Sequence, residues 1–312
     1  MKNYEGKLLI RSSRLEDIQD IQYIVSACDI DEFGTDEFVI NMQEVLESIP
    51  METNSWVVTT ENNKIIGHAF MEEMGEGRLD TYVFTHPEYK GLGVATLLVK
   101  CTEERAKEYI EKYKEKQISY EFNNVIPAEN TTAKSILEEQ GYKFKRLYSQ
   151  MSIELDGEPD EVILPEDITI RKWNSYEDFK SIYKIYYEAF KDARSHRAKP
   201  YEEWLNHKTK DAGDFNLWYI AYYKGDLAGF LIGKIEGEYM WVDLLGVSRN
   251  ARKHGIGKTL LKTILKESYI RSIYKVALSV DADSPTNAHK LYKSIGMKPV
   301  FQIAMYEKEN IK

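Results

Sequence analysis

The stretch Lys90-Gly91-Leu92-Gly93-Val94-Ala95 returns 162 positions later as Arg252-Lys253-His254-Gly255-Ile256-Gly257. The same shift carries Trp56 onto Trp218 and Gly67 onto Gly229. Between those markers each copy reads as a strand, a polar turn (Glu61 to Lys64; Lys224 to Asp226) and a second strand. Nearer the ends the shift drifts. Ile10-Arg11 maps onto Ile170-Arg171 at 160, and Ala133 and Gly141 map onto Ala288 and Gly296 at 155. A shift that holds within elements and drifts between them is what duplication and later changes in loop length produce. The period is too long for a solenoid unit, so the 312 residues read as two whole domains.

The polar, Pro- and Gly-bearing stretches Asp156-Gly157-Glu158-Pro159-Asp160-Glu161 and Leu164-Pro165-Glu166 mark the boundary, giving domains 1–156 and 166–312. Each copy runs through a short strand, a helix, two or three strands, the glycine loop and its helix, a strand (Ile118 to Phe122; Lys275 to Val280), a helix, and a final strand (Ser149 to Leu155; Gln302 to Glu307). Gly141 and Gly296 stand where a helix C-cap wants glycine. This order predicts an α/β fold with helices on both faces of a sheet.

Composition narrows the function. Apolar residues at 43% and charged residues at 30% suit a globular chain with real cores. A formal net charge of −9 disfavours general binding to nucleic acid or anionic membrane. Two isolated cysteines, Cys28 and Cys101, make neither a disulfide framework nor a Cys-rich zinc site. The six histidines show no ligand spacing, so no metal is implied. The beginning MKNYEGKLLIRSSRLEDI has no apolar signal core, and no window resembles a membrane span, so the expected compartment is the cytoplasm.

The loop Arg252-Lys253-His254-Gly255-Ile256-Gly257-Lys258 follows the apolar strand Trp241 to Val247 and opens an amphipathic helix. Glycines at such a turn let backbone N–H groups converge, and the helix N-terminus adds positive charge, so the loop is a phosphate cradle. A nucleotide-triphosphate P-loop would need glycine where Arg252 stands, and a dinucleotide fingerprint would need it where Leu260 stands, so both fail. What fits is the R/Q-x-x-G-x-G/A pattern, and the loop resembles the coenzyme A loop of the GNAT superfamily of N-acetyltransferases. The first copy resembles it too, with Lys90 for the usual Arg or Gln and Thr85 for the usual valine.

That resemblance implies two tandem GNAT-like domains, each a mixed, mostly antiparallel twisted sheet flanked by helices. It implies acetyl-CoA as co-substrate and a primary amine of a small molecule or peptide as acceptor. Carried onto this sequence, coenzyme contacts fall at Leu245, Gly246, Val247, Arg252, Lys253, His254, Gly255, Ile256, Gly257, Lys258 and Asn287, and in the first copy at Lys90, Gly91, Leu92, Gly93, Val94 and Ala95. The family's N-x-x-A-x-x-L-Y helix is met by Ala288-His289-Lys290-Leu291-Tyr292, with Pro285 where Asn is usual, and by Asn130 to Leu137 in the first copy. Tyr292 is thus the expected general acid for the leaving thiolate. Leu137 occupies that position in the first copy and cannot donate a proton, which makes that copy degenerate. Asp243, four residues before Val247, is the candidate base, with Glu236 and Glu238 in reserve. Phe190 to Arg197 and Tyr201 to Trp204 are the candidate acceptor contacts. The competing reading is a non-catalytic acyl-CoA sensor or scaffold.

Overall fold

A computed structural model describes residues 7–311 apart from 38, 76, 175, 191–199, 211–212, 283 and 285–287. The chain divides into two compact units, one of Met1–Leu147 with Phe301–Lys312, the other of Tyr148–Val300. The sequence reading gave each copy its own last strand, with boundaries at 1–156 and 166–312. The structure exchanges those strands, and the units depart from the copies for that reason.

The first unit contains β1 (Leu9–Ser12), α1 (Ile18–Phe33), α2 (Met42–Ser48), α3 (Met51–Asn54), β2 (Ser55–Thr59), β3 (Ile65–Gly75), β4 (Arg78–Thr85), α4 (Val94–Glu115), β5 (Glu121–Pro127) and α5 (Thr131–Glu139). The second contains most of β6 (Lys143–Glu154), then β7 (Ile168–Lys172), α6 (Tyr176–Phe190), α7 (Tyr201–Lys210), β8 (Trp218–Tyr223), β9 (Asp226–Glu236), β10 (Tyr239–Val247), α8 (Ile256–Ile270), β11 (Lys275–Asp281) and α9 (Ala288–Lys293). Most of β12 (Lys298–Glu307) returns to the first unit, where Ile303 to Glu307 pair antiparallel with Pro127 to Asn123 of β5. In the second unit Tyr148 to Glu154 of β6 pair antiparallel with Asp281 to Lys275 of β11.

Among the described residues each unit therefore carries six strands, ordered β1-β2-β3-β4-β5-β12 and β7-β8-β9-β10-β11-β6. Of the described pairs within each unit, only β4–β5 and β10–β11 are parallel. Successive strand residues face opposite sides. Val57 and Phe70 pack with Ile21, Ile24 and Val25 of α1, while Val58, Ile66 and Ala69 pack with Val94 and Leu98 of α4. Helices thus cover both faces, as the pattern predicted. In each unit a paired Arg–Asp joins the first strand to the first helical segment: Arg11 to Asp17 at 2.6 and 2.8 Å, Arg171 to Asp178 at 2.8 and 2.7 Å.

The repeated glycines of the second hairpin strand have a packing role. A Cβ at Gly67 would lie 2.4 Å from Val94 Cγ1, and one at Gly229 would lie 3.1 Å from Ile256 Cγ2. Val94 and Ile256 are the first residues of the helices after the glycine loops. Glycine here lets each helix N-terminus rest directly on the sheet. The strand expected over Ile118 to Phe122 instead spans Glu121–Pro127. Gln117 takes φ 56° and the Ile118 N–H donates to Tyr113 O, so the end of α4 consumes the first residues of that stretch.

Candidate active site

Gly255, at φ 86°, caps α8, and Lys253 also lies in the left-handed region at φ 70°. The first amide of this turn to reach a carbonyl is that of Thr259, which donates to Gly255 O at 2.9 Å. Among the described residues no carbonyl accepts from the N–H groups of Lys253 to Lys258. A turn of amides left without carbonyl acceptors at a helix start has the chemistry to hold a pyrophosphate. Lys253, His254, Gly255 and Lys258 are exposed, while Ile256 and Gly257 are buried beneath them. Arg252 has a different task. Its guanidinium donates to Ala189 O at 3.0 Å and Val247 O at 3.3 Å, tying the loop to the end of α6.

Strand β10 pairs with β11 only at Met240–Val276 and Trp241–Ala277. From Val242 onward that edge of β10 opens, while its other edge stays paired with β9 as far as Val247–Gly229. The register with β9 slips between Val242 and Leu244, so Asp243 is the extra residue of a bulge. Beyond it, Leu245, Gly246 and Val247 border the gap between the splayed strands. Asp243 Oδ2 accepts from Lys208 Nζ of α7 at 2.7 Å. A Cβ on Gly246 would lie 2.4 Å from Phe230 Cε1, so the phenyl ring occupies the space beside that residue.

Tyr292 lies on α9, 8% exposed, within the apolar cluster of the second unit. Burial pushes its phenol up to about 12, which keeps the hydroxyl protonated throughout the physiological range. Its neighbour Leu291 would be 3.1 Å from a Cβ on Gly257, so α9 abuts the glycine loop. Asn287, Pro285 and 191–197 of the expected acceptor stretch lie outside the described residues. Of the rest, Trp204 is a core residue, 2% exposed, with its ring centroid 5.5 Å from that of Tyr183 and 5.9 Å from that of Tyr186.

The first copy repeats the frame with different chemistry. Gly91 and Gly93 take φ 84° and 78°, and the first bonded amide is that of Leu97, donating to Gly93 O. Leu92, Val94 and Ala95 complete the turn. Strand β4 keeps unbroken register with β3 from Thr85–Gly67 to Leu79–Glu73, so it has no bulge at the position of Asp243. Leu137 is buried where the second copy has Tyr292. Lys90 Nζ is held by Asp31 at 2.5 Å and Glu32 at 3.1 Å. A cleft of about 330 Å³ opens between α1, the ends of β4 and β5, the loop and α5. Sequence reasoning missed Lys208 and the α1 residues Cys28, Asp29 and Glu32 that line this cleft. They lie within helices, and nothing in the local sequence marks them.

Among the described residues no cluster could hold a metal ion, and no helix is long and apolar enough to cross a membrane. The Acetyltransferase (GNAT) family profile matches residues 179–297, and a second GNAT acetyltransferase domain profile matches residues 52–144. A mycothiol acetyltransferase from Saccharopolyspora erythraea is 24% identical over 265 residues, covering 82% of this chain and 86% of that protein. A GCN5-related N-acetyltransferase from Sphaerobacter thermophilus superposes with a TM-score of 0.85 at 26% identity, over 98% of this chain and 96% of that one. A tandem GNAT protein from the clavulanic acid biosynthesis pathway shares the fold, with a TM-score of 0.70 at 14% identity over 97% and 98% of the two chains. With one GNAT profile on each copy, the two together spanning more than half of its length, the chain belongs to the GNAT family as a tandem N-acetyltransferase.

Proposed function

We propose that this enzyme transfers the acetyl group of acetyl-CoA to a primary amine of a small molecule, and that the reaction takes place in the second copy. One contrast carries the assignment. The second copy has a buried phenol abutting the cradle and a bulge at Asp243, whereas the first has leucine and, at the matching place in β4, no bulge. The free cysteines, Cys28 and Cys101, accord with a reducing, cytoplasmic setting.

The amides of Lys253 to Lys258 hold the pyrophosphate, with Lys253 and Lys258 adding charge. The pantetheine arm runs into the gap beyond Trp241, along Leu245 to Val247. Free backbone N–H groups on that edge stabilise the charge that develops on the thioester oxygen. The amine loses a proton to Asp243, directly or through water, and its nitrogen bonds to the acyl carbon. As the C–S bond breaks, Tyr292 gives its proton to the departing sulfur. Lys208 holds the Asp243 carboxylate at the bulge and orients it.

Tyr292→Phe tests the assignment. Thiol release with a panel of amines should fall about 100-fold in kcat, with KM for acetyl-CoA within about twofold. A wild-type rate in the variant across pH 6–9 would remove Tyr292 from this role. Asp243→Asn should lower kcat/KM for the amine most strongly at neutral pH and least at high pH, where more amine is already deprotonated. Equal losses at both ends of the pH profile would leave Asp243 a purely structural residue.

A further inference from the structure

We propose that the cleft of the first copy is a separate site for a small organic ammonium ligand and that it excludes the coenzyme. The two loops share backbone geometry and differ in charge. In the second copy Arg252, Lys253 and Lys258 are all cationic, and among the described residues Arg252 bonds only to neutral carbonyls. In the first, Gly91 and Thr96 replace the two lysines, and the single cation, Lys90, is held by two carboxylates. A pyrophosphate at this loop would meet Asp31 and Glu32 beside Lys90, and like charges at that range repel.

The α1 wall of the cleft supplies one more carboxylate. Asp29 lines the cavity beside Cys28 and Glu32, and among the described residues it has no hydrogen bond or ion pair. Burial, and secondarily Asp36, push its carboxyl up to about 6, as expected of a desolvated acid with no cation beside it. The Cys28 thiol donates to Thr85 O at 3.3 Å, which fixes this turn of α1 at the end of β4. Val83, Phe84, Val125 and Ile136 supply apolar lining, beside the polar Thr85, Asn130 and Thr132. An unpaired acid in a cavity of about 330 Å³ with such apolar lining suits a cation on a short hydrocarbon body. The ligand binds with its ammonium against Asp29 and its body along those side chains. This inference does not rest on the reaction assigned to the second copy.

Titration calorimetry on the full chain separates the outcomes, with hexylammonium and hexanoate as probes of equal body and opposite charge, and coenzyme A as the third ligand. The expected result is one coenzyme A per chain. A saturable hexylammonium site should persist at saturating coenzyme A, hexanoate should bind about tenfold or more weakly, and the amine site should be lost in Asp29→Asn. Ile136→Trp, which fills the cavity without changing charge, should also lose the amine and keep the single coenzyme site. Two coenzyme molecules per chain, displacement of the amine by coenzyme A, or amine binding unchanged in Asp29→Asn would each overturn the proposal. Complete absence of coenzyme binding would refute the proposed function, and the amine titrations would still decide this site.

Discussion

At the residue scale, Lys253 and Asp29 are held in a conformation and surroundings that cost stability. Lys253 adopts φ 70°, where a side chain costs about 1–2 kcal/mol relative to the right-handed region. The equivalent residue in the first copy is Gly91, which adopts the same region freely. Lys253→Gly should therefore leave folding stability unchanged or raise it by about 0.5 kcal/mol after the entropy of glycine is counted. It should also raise KM for acetyl-CoA about fivefold, because an exposed phosphate contact contributes at most about 1 kcal/mol. An unchanged KM would show that the lysine is not a coenzyme contact. Asp29 is the second case. Its folded-state value is raised to about 6 from 3.8, so the folded chain holds a proton across that window that the unfolded chain has released. Stability from this group falls as pH rises through the window, and the deficit persists above it. The charged group that acts on it is Asp36, and the Cys28 thiol is adjacent. Asp29→Asn should raise stability by about 1 kcal/mol at pH 8, an amount reduced for solvent screening, and by nothing near pH 3.5. Denaturant midpoints at the two pH values measure this, and a gain of equal size at both would reject it.

At the element scale, the aromatic beside the gap changes strands between the copies. His68 and Phe84 are cross-strand partners in the first, and Phe230 and Gly246 are the equivalent pair in the second. Phe84 thus lines the first cleft, while Gly246 leaves the second gap clear because Phe230 fills the space from the neighbouring strand. Gly246→Ala should cost about 1–3 kcal/mol by overpacking against a fully buried ring. Phe230→Leu should recover part of that loss when combined with it, since the two residues touch and their effects will not add. Urea denaturation of the single and double variants checks both statements, and strict additivity would contradict the contact.

At the scale of the whole molecule, the exchange of final strands makes the copies interdependent. Ala304 and Tyr306 of β12 are buried in the apolar cluster of the first unit, with Phe122, Ile126 and Leu137. Met151 of β6 is buried in the cluster of the second unit. Fragments 1–156 and 166–312, produced separately, each lack the strand that closes their own sheet and expose the edge of β5 or β11. Each should aggregate alone, and co-expression should restore a soluble, active pair. Two separately soluble, monomeric fragments on size-exclusion chromatography would argue against this account.

Much of this protein was legible in its residues. The repeat, the two glycine loops, the phenol in one copy against leucine in the other, and the Gly67–Gly229 correspondence are local patterns. Local backbone preference, side-chain alternation and helix-start chemistry are properties of short segments, so sequence alone determined two α/β copies, one with a phenol where the other has leucine. Which sheet each last strand joins, the bulge that isolates Asp243, its pairing with Lys208, and the acidic wall opposite Lys90 were decided only by the tertiary structure. Those features depend on segments tens to hundreds of residues apart meeting in space, and neither alternation nor helical period encodes which distant partner a segment will meet.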